Sequence, residues 1–588
     1  MILQSLVECY ETLEKQGKVP RFGWCFSKVS YAINIDIDGE IKGIICCKTE
    51  NNTPKNMIVP EQQSTTSGTV PFFLCDTSKY ILGINKKDDE KSKKECRKKF
   101  NSSKELHLNL LKNIDNDVAK AICNFYNKWN PEDARNNKII DEYFDEIADG
   151  ERLVFHVMTK YAQDDREIQN VWDEYLSQED GVDGICLVTG KHGKIAKVHK
   201  RIKGVKGTKS SGAALVSFNV ESFESHWKEQ GYNAPVSRDA EFAYTTALNY
   251  LLSKQEHKMQ VGDMTLVFWS ESNQKECQDL FRFSINPSED EDFDLVKIFN
   301  DVKQQRDINI NGIKIDLKQK FYILCLSPNV GRISIQSFYQ NTFKDILLNL
   351  VCHQQRLEII KPKYAKKDTL KTQDLIGTTV NKKLKDPFKK VSYTATSLYE
   401  AIILGKNYPE KLYTDVLERI RAETGNVDYI RAAIIKAFLM KNKNWEGENF
   451  MSLNENCKEV SYLLGRLFSV LESIQLESMN KEYNANDVTT IKDRFFNSAC
   501  TTPNLMFPKL LSLSNYHLKK LNRDKKGKAI YYNQILLSIM NNIDIDDGFP
   551  TTLSLEDKGK FILGYYHQTQ KRFESKKENN ETEKVEKL

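Results

Sequence analysis

Apolar positions change their spacing along the chain. Residues 2–14 place apolar side chains three and four positions apart, which predicts an amphipathic opening helix. From about residue 393 the same helical spacing recurs in successive segments, most clearly at 460–474. Between these regions, short apolar runs alternate with turn residues, as is typical of β-strands. The pattern therefore predicts an α+β protein, with a mixed α/β N-terminal region containing antiparallel hairpins and an all-α C-terminal helical bundle.

The strand predictions rest on turn chemistry. Asp38-Gly39 separates two apolar runs, 29–37 and 41–46, and an Asp-Gly pair in that position predicts an antiparallel hairpin. A second strand pair is predicted at 320–326 and 331–336. Ser237 is predicted to cap a helix, because acidic residues follow it in the first turn. Further strands are predicted at 71–74, 152–158, 184–189, 213–218 and 264–269.

Changes in pattern divide the chain into five parts. An N-terminal α+β domain is predicted at 1–257, and a second α+β segment at 258–360. A lysine-rich linker is predicted at 361–392, because that segment has little apolar pattern. The helical bundle follows at 393–570, and a charged tail predicted to be disordered closes the chain at 571–588.

Composition narrows the class of protein only slightly. The chain has 588 residues, which is too long for one hydrophobic core. Its 86 basic and 81 acidic side chains give a net charge of +5, so a nucleic-acid partner requires clustered rather than numerous cations. The number of cysteines is odd, at 13, and the chain is long, which favours reduced thiols in a cytoplasmic protein over a secreted disulfide framework. No signal peptide and no membrane span are expected.

Motifs that carry enzymatic chemistry are not found in the sequence. It contains no Walker-type phosphate loop, no His-Glu-x-x-His and no Gly-x-Ser-x-Gly. We therefore predict no catalytic residue, no metal and no cofactor. Because catalytic carboxylates can be distant in sequence, a nuclease is the alternative.

One basic stretch stands out, because residues 184–220 contain no acid. Uncompensated cations attract phosphates, so the stretch predicts a nucleic-acid contact and makes 1–257 the predicted nucleic-acid-binding domain. Its glycines allow the backbone to approach a phosphate or groove closely. A solvated lysine-rich loop is the alternative interpretation. The cations are Lys191, Lys194, Lys197, Lys200, Arg201, Lys203, Lys206 and Lys209, the glycines include Gly204, Gly207 and Gly212, and Ser210, Ser211 and Asn219 add short polar side chains.

The order of sequence blocks resembles the large subunit of the type I-C CRISPR Cascade complex. The longest block is GKIAKVHKRIKGVKGTKSSGAALVSFNVESFESH at 193–226, followed by KEQGYNAPVSRDAEFAYTTALNYLL at 228–252. Others are GKVPRFGWCFSKVSYAI (17–33), FFLCDTSKYILG (72–83), FYILCLSPNVGRISIQSFYQNTF (321–343), YPEKLYTDVLERIRAE (408–423) and LSLEDKGKFILGYYHQ (553–568). The resemblance extends over nearly the whole chain.

The resemblance implies a role without catalysis. Such a subunit inspects duplex DNA for the protospacer-adjacent motif, helps to open the duplex and supports the displaced strand. Its implied partners are the guide RNA and the subunit that holds the RNA 5′ end, the backbone and small subunits, the double-stranded target DNA and a separate helicase-nuclease. The C-terminal helical region resembles the small subunit, which is also made from an internal start in this subtype; Met440 and Met451 are candidate starts. The alternative is a nuclease that acts on guide RNA or target DNA, and an RNA-binding structural protein with no DNA role is a further one.

The candidate contact residues combine the basic stretch with the resemblance. Phosphate contacts are predicted for Lys197, Lys200, Arg201, Lys203, Lys206 and Lys209, and polar contacts for Ser210, Ser211, Asn219, Gln230 and Asn233. A second candidate is the loop containing Thr77 and Lys79, where the family often has Asn in place of Thr77. Trp227 replaces a small residue of the family pattern, and we predict that its ring packs beneath the loop.

Overall fold

A computed structural model describes residues 1–62, 69–87, 89–178, 181–286, 295–304, 306, 308–310, 312–362, 365, 370–380, 392–445, 450–479, 489–543 and 548–585. The chain forms two compact units. The first unit contains Met1–Ile202 and Ala214–Tyr250, and the second contains Lys203–Ala213 and Leu251–Leu588. The chain therefore passes between the units three times, and part of the basic stretch belongs to each unit.

The first unit is a mixed α/β structure. Its helices are α1 (Ile2–Lys15), α2 (Ser78–Ile81), α3 (Glu90–Leu111), α4 (Asp117–Lys128), α5 (Lys138–Glu142), α6 (Phe144–Ile147), α7 (Arg166–Ser177) and most of α8 (Arg238–Ser253). Its strands are β1 (Trp24–Val29), β2 (Tyr31–Ile35), β3 (Ile41–Cys46), β4 (Lys55–Pro60), β5 (Cys75–Thr77), β6 (Arg152–Val157), β7 (Lys160–Tyr161), β8 (Asp183–Ile185) and β9 (His192–Lys194).

A sheet of order β3-β2-β6-β5 organises the first unit, with β7 paired to β6. Strands β2 and β6 are parallel, while the β2–β3 and β5–β6 pairs are antiparallel. The central strands are buried on both faces, as the near-continuous apolar sequence of β6 requires. Helix α4 packs its apolar face on this sheet, and Asn116 caps it by accepting from the Val118 and Ala119 backbones.

The second unit joins a sheet to a helical bundle. Its strands are β10 (Lys258–Val261), β11 (Met264–Ser270), β12 (Ile308–Ile310), β13 (Ile313–Ile315), β14 (Lys320–Asn329) and β15 (Arg332–Thr342). Its helices are α9 (Lys275–Ile285), α10 (Leu295–Lys303), α11 (Phe343–Leu357), α12 (Thr372–Thr379), α13 (Ser392–Leu404), α14 (Glu410–Ala422), α15 (Tyr429–Asn442), α16 (Val460–Ser478), α17 (Ile491–Ala499), α18 (Pro503–Asp524), α19 (Lys526–Met540) and α20 (Leu555–Val585).

One hydrophobic core runs through the second unit. The antiparallel sheet β10-β11-β14-β15 supplies apolar residues such as Phe268 and Phe321, and the helices from α9 to α20 complete the same core. The sheet segment and the helical bundle are therefore not separated by a solvated gap in the core. Hydrophobic burial ties them together, since removing apolar area from water is the main favourable term in folding.

The α+β fold class is confirmed, as are the hairpins at β2–β3 and β14–β15. The strand predicted at 213–218 is wrong: the segment follows left-handed Gly212, and its side chains from 214 to 218 are half-buried without a strand ladder. The run 71–74 only leads into β5, and 184–189 shortens to β8 because the Gly190 backbone turns back to Cys186.

The finer domain limits stay predictions. Much of the proposed linker lies outside the described residues, and α20 includes most of the tail.

Two glycines let helices α16 and α20 touch backbone to backbone. A methyl group on Gly465 would overlap the carbonyl oxygen of Phe561, and one on Gly564 would overlap the carbonyl oxygen of Tyr462. Both positions lie inside helices, where glycine otherwise lowers helix stability. The close approach is what offsets that cost, because it brings the two apolar faces into full contact.

We predict that Gly465→Ala lowers the free energy of unfolding of the second unit by about 1–3 kcal/mol, because the helices must separate. Urea denaturation followed by circular dichroism measures this. Gly527→Ala is the matched control, since Gly527 lies in helix α19 with no atom near its Cβ position. It should leave stability unchanged or raise it by up to about 1 kcal/mol. Equal effects at both positions would show that the α16–α20 contact is not tight.

Two neutral histidines are buried in the second unit. His353 Nδ1 lies 2.7 Å from the Tyr408 hydroxyl, and His567 Nδ1 lies 2.9 Å from the Tyr462 hydroxyl. The Nε2 atom of each has no partner among the described residues. Burial lowers the pKa of both imidazoles to about 3, assisted by the charges of Arg356 and Lys436 respectively. Each ring is therefore held in its neutral form.

Mild acid should destabilise the second unit. A base whose folded pKa lies below its unfolded value stabilises the fold fully above the unfolded pKa of 6.5 and loses that contribution as pH falls towards 3. At about pH 5 the loss is about 2 kcal/mol for each histidine. Urea midpoints at about pH 7.5 and about pH 5 test this. His567→Gln should reduce the acid sensitivity and exposed His192→Gln should not; identical sensitivity in both variants would contradict the account.

Candidate nucleic-acid interface

The central part of the basic stretch is an anchored loop of the second unit, residues 203–213. Val205 and Ala213 are buried at 3% and 1% exposure, so both ends of the loop are fixed by apolar packing. The side chains of Lys203, Lys206 and Lys209 are exposed. Because apolar anchors alternate with lysines, burying the anchors directs the cations to water.

Three glycines in the left-handed region give the loop its path. Gly204, Gly207 and Gly212 have φ values of 89°, 85° and 88°, which side chains rarely adopt. A Cβ on Gly207 would lie 2.9 Å from Pro328 Cγ at the end of β14. The Lys206 backbone also donates to Thr265 Oγ1 at 3.3 Å. The loop thus rests on the sheet at two points, and glycine is required where it approaches Pro328.

A tight turn presents the polar end of the loop. The Gly212 backbone donates to the Lys209 carbonyl at 2.9 Å, and the two central residues of this turn, Ser210 and Ser211, are exposed. Among the described residues, neither Lys206 nor Lys209 forms a salt bridge, although Lys206 Nζ lies 3.4 Å from the Gly262 carbonyl. No described carboxylate offsets the charge of either ammonium group, so both can attract an external anion.

A hairpin tip lies beside this loop, and no pattern in the sequence indicates it. Strands β14 and β15 pair up to Asn329 and Arg332, and leave Val330 and Gly331 as a two-residue turn. Val330 has a φ of 53° and is 95% exposed, although β-branched residues rarely adopt a left-handed conformation. The close approach of Gly207 to Pro328 brings the loop to this tip, and no sequence signal relates positions more than 100 apart.

Gly207→Ala should loosen the loop, because the added methyl group meets Pro328 and the backbone is left-handed. We expect faster tryptic cleavage after Lys206 and Lys209, measured by mass spectrometry over a time course. Gly43→Ala in β3 is the control, since nothing lies within contact distance of its Cβ position. Unchanged cleavage in Gly207→Ala would show that the Pro328 contact does not hold the loop.

Three lysines of the basic stretch that lie in the first unit have acidic partners. Lys194 Nζ lies 3.1 Å from an Asp183 oxygen, and Lys197 Nζ lies 2.9 Å from an oxygen of Glu229. Lys200 pairs with a carboxylate as well, and all three acids lie outside the acid-free stretch of sequence. Their charges are therefore compensated before any phosphate arrives. The Arg201 side chain is exposed, and its carbonyl accepts from Asn249.

Lys200 is bound on three sides. Its ammonium group pairs with Glu61 and lies 4.4 Å from the ring centroid of Phe242. Its backbone donates at 2.6 Å to Glu241, a carboxyl group whose pKa is raised by burial. The side chain thus contributes to holding residues 196–201 on helix α8. A role in phosphate binding stays a prediction and would require displacing Glu61.

Asn233 closes a loop in the first unit. Its Oδ1 accepts from the Ser225 backbone at 2.8 Å, and its Nδ2 donates to the carbonyls of Lys228 and Gln230 at 2.6 and 2.9 Å. Both amide hydrogens of this candidate contact residue are therefore used within the loop, and its Oδ1 accepts one hydrogen bond there. Gln230 has a φ of 44° and its backbone donates to Glu224, while Asn219 is exposed.

Trp227 lies at the tip of that loop and is exposed. Ser225 and Lys228 form an antiparallel bridge, and the two residues between them, His226 and Trp227, have φ values of 52° and 59°. Positive φ at both central positions is the signature of a type I′ turn. The Trp227 side chain is 104% exposed. The prediction that its ring packs beneath the loop is wrong, because the turn points the side chain away from any neighbour.

The loop at Thr77 and Lys79 is bound into the fold of the first unit. Asp76 is 2% exposed and accepts from the backbones of Phe72 and Thr77 at 2.8 and 2.7 Å. Burial raises the pKa of this carboxyl group to about 6. Thr77 precedes helix α2, and both Thr77 and Lys79 are half-buried. A base contact at either residue stays a prediction.

Neither a metal site nor a membrane segment is found in the described part of the chain. No group of three or more His, Cys, Asp or Glu side chains there is arranged to hold a metal ion. No helix in that part is long and apolar enough to cross a bilayer.

Comparison with known families defines the class of the protein. A family of CRISPR-associated proteins matches residues 6–573, which is nearly the whole chain. The chain belongs to this family, Cas_Csd1, and the resemblance seen in its sequence blocks is confirmed at that level. None of the curated proteins compared with the chain matches it.

Proposed function

We propose that this chain is the non-catalytic large subunit of an RNA-guided CRISPR surveillance complex. In this proposal it recognises the protospacer-adjacent motif in duplex DNA, promotes unwinding and R-loop formation, and helps to recruit the helicase-nuclease. The observation that carries the proposal is the anchored loop 203–213, which lies on the sheet of the second unit and exposes its lysines to solvent.

The chemistry of the loop supports contact with a nucleic-acid backbone. Lys206 and Lys209 carry cations that no described carboxylate neutralises, and Ser210 and Ser211 add exposed hydroxyl groups beside them. Lysine binds phosphate as a point charge, and releasing the counterions of DNA drives the association. In RNA-guided complexes, base pairing reads most of the sequence while the protein reads a short motif and the backbone. A small polar and cationic loop has the chemistry for that task.

The salt dependence of DNA binding tests the loop. The double variant Lys206→Ala/Lys209→Ala should weaken binding of the purified chain to duplex DNA and lower the slope of log K against log salt by about two. The matched control is Lys194→Ala/Lys197→Ala, which removes two lysines already paired with acids. Its slope should change by less than half as much. An equal loss in both variants, or none in the loop variant, would refute the assignment.

Motif inspection needs a separate experiment on the assembled complex. Target duplexes that differ only in the bases beside the protospacer should differ in affinity by about 1–3 kcal/mol for each mismatched pair. Gel-shift titration with complex lacking this subunit provides the control. If the complex binds both duplexes equally, the subunit does not inspect the motif, and an RNA-binding structural role becomes the better account.

The non-catalytic part of the proposal is tested with labelled substrates. Purified chain with Mg²⁺ should leave labelled guide RNA and target DNA intact. Cleavage that a single Asp or Glu substitution abolishes would identify a nuclease instead.

A further inference from the structure

Trp227 differs from the other tryptophans of the chain. Of the six tryptophans, Trp24, Trp172 and Trp269 are at most 6% exposed, and the remaining two, Trp129 and Trp445, are half-buried. Trp227 alone is exposed, at 104%. Both faces of a large apolar ring are thus open to water, which is unfavourable unless a ligand covers them.

The backbone beneath the ring is held in an unfavourable conformation. Consecutive left-handed residues in a two-residue turn are normally Asn-Gly or similar pairs, whereas this turn contains His226 and Trp227. The Asn233 amide maintains it with three hydrogen bonds to the loop backbone. Strained turns of this kind persist where the surroundings enforce them, and they cluster at ligand sites. The ring is therefore presented in advance of binding.

The charges around the tip suit a nucleic acid. His226 and Lys228 flank the ring and are exposed. The nearby carboxylate of Glu229 is paired with Lys197, and Glu224 accepts from the Gln230 backbone. An open aromatic ring beside a cation is the arrangement on which bases of single strands stack. A fully paired duplex offers no open base face along its length, so the ring requires an unpaired base.

We propose that Trp227 is a stacking site for an unpaired base of single-stranded nucleic acid. This inference rests on the proposed function, because it assumes that the chain meets an opened duplex. It adds a second class of ligand, an unpaired base, which the anchored loop 203–213 does not require. It assigns that ligand to the first unit.

Tryptophan fluorescence and affinity of the full chain test the proposal. A short single-stranded DNA should quench the solvent-exposed emission of the wild-type protein. Trp227→Ala should abolish that quenching and weaken single-strand binding about tenfold, while Trp227→Phe retains most of the affinity. Binding of a blunt duplex of the same sequence should change by less than twofold. Tyr393→Ala, which removes an aromatic side chain that is 80% exposed, is the control and should bind like the wild type.

The outcomes separate this proposal from the proposed function. Wild-type affinity of Trp227→Ala for single strands overturns the stacking site and leaves the duplex-binding loop intact. If the wild-type chain binds neither single-stranded nor duplex DNA, both proposals fall. If DNA does not quench the exposed emission but an isolated Cascade subunit does, Trp227 is a protein contact and the stacking site is refuted. Circular dichroism confirms that each variant is folded.

Discussion

The lysines of loop 203–213 face water because buried apolar anchors and left-handed glycines determine the path of the loop backbone. Val205 and Ala213 are buried, and the left-handed Gly207 lets the backbone lie against Pro328. A side chain at Gly207 would push the loop off the sheet, and a polar residue at Val205 would release its anchor. The electrostatic properties of the surface therefore depend on packing beneath it, since hydrophobic contacts decide where each charge is held.

A segment that contains no acidic residue can still have acidic side chains of other segments around it in the folded protein. The stretch 184–220 has uncompensated charge when it is read along the chain, yet Asp183, Glu61 and Glu229 supply partners to its first half. In the part that crosses into the second unit, Lys206 and Lys209 form no ion pair with a described carboxylate. Folding thus divides the basic stretch into one part with three acid-paired lysines and another part in which Lys206 and Lys209 can bind an external anion. Counting charges along the sequence does not reveal this division.

The fold was predictable where local rules dominate. The hairpin at Asp38-Gly39 follows from turn chemistry, and the helices of the C-terminal region follow from their 3.6-residue periodicity. Contacts between distant positions were not predictable, and the Gly207–Pro328 contact is the clearest example. The exposure of Trp227 was missed for a related reason: His-Trp carries no turn signature, and the hydrogen bonds that enforce the turn come from Asn233. In each case a tertiary contact overrides local preference.

Lysine accessibility in the assembled complex tests the central claim most directly. An amine-reactive reagent modifies exposed ammonium groups, and mass spectrometry reports the rate at each position with and without target DNA. The account predicts that DNA slows modification of Lys206 and Lys209 strongly, and that the rates at Lys194 and Lys197 change little. Unchanged rates at Lys206 and Lys209 on bound target DNA would contradict the claim that loop 203–213 contacts the nucleic acid.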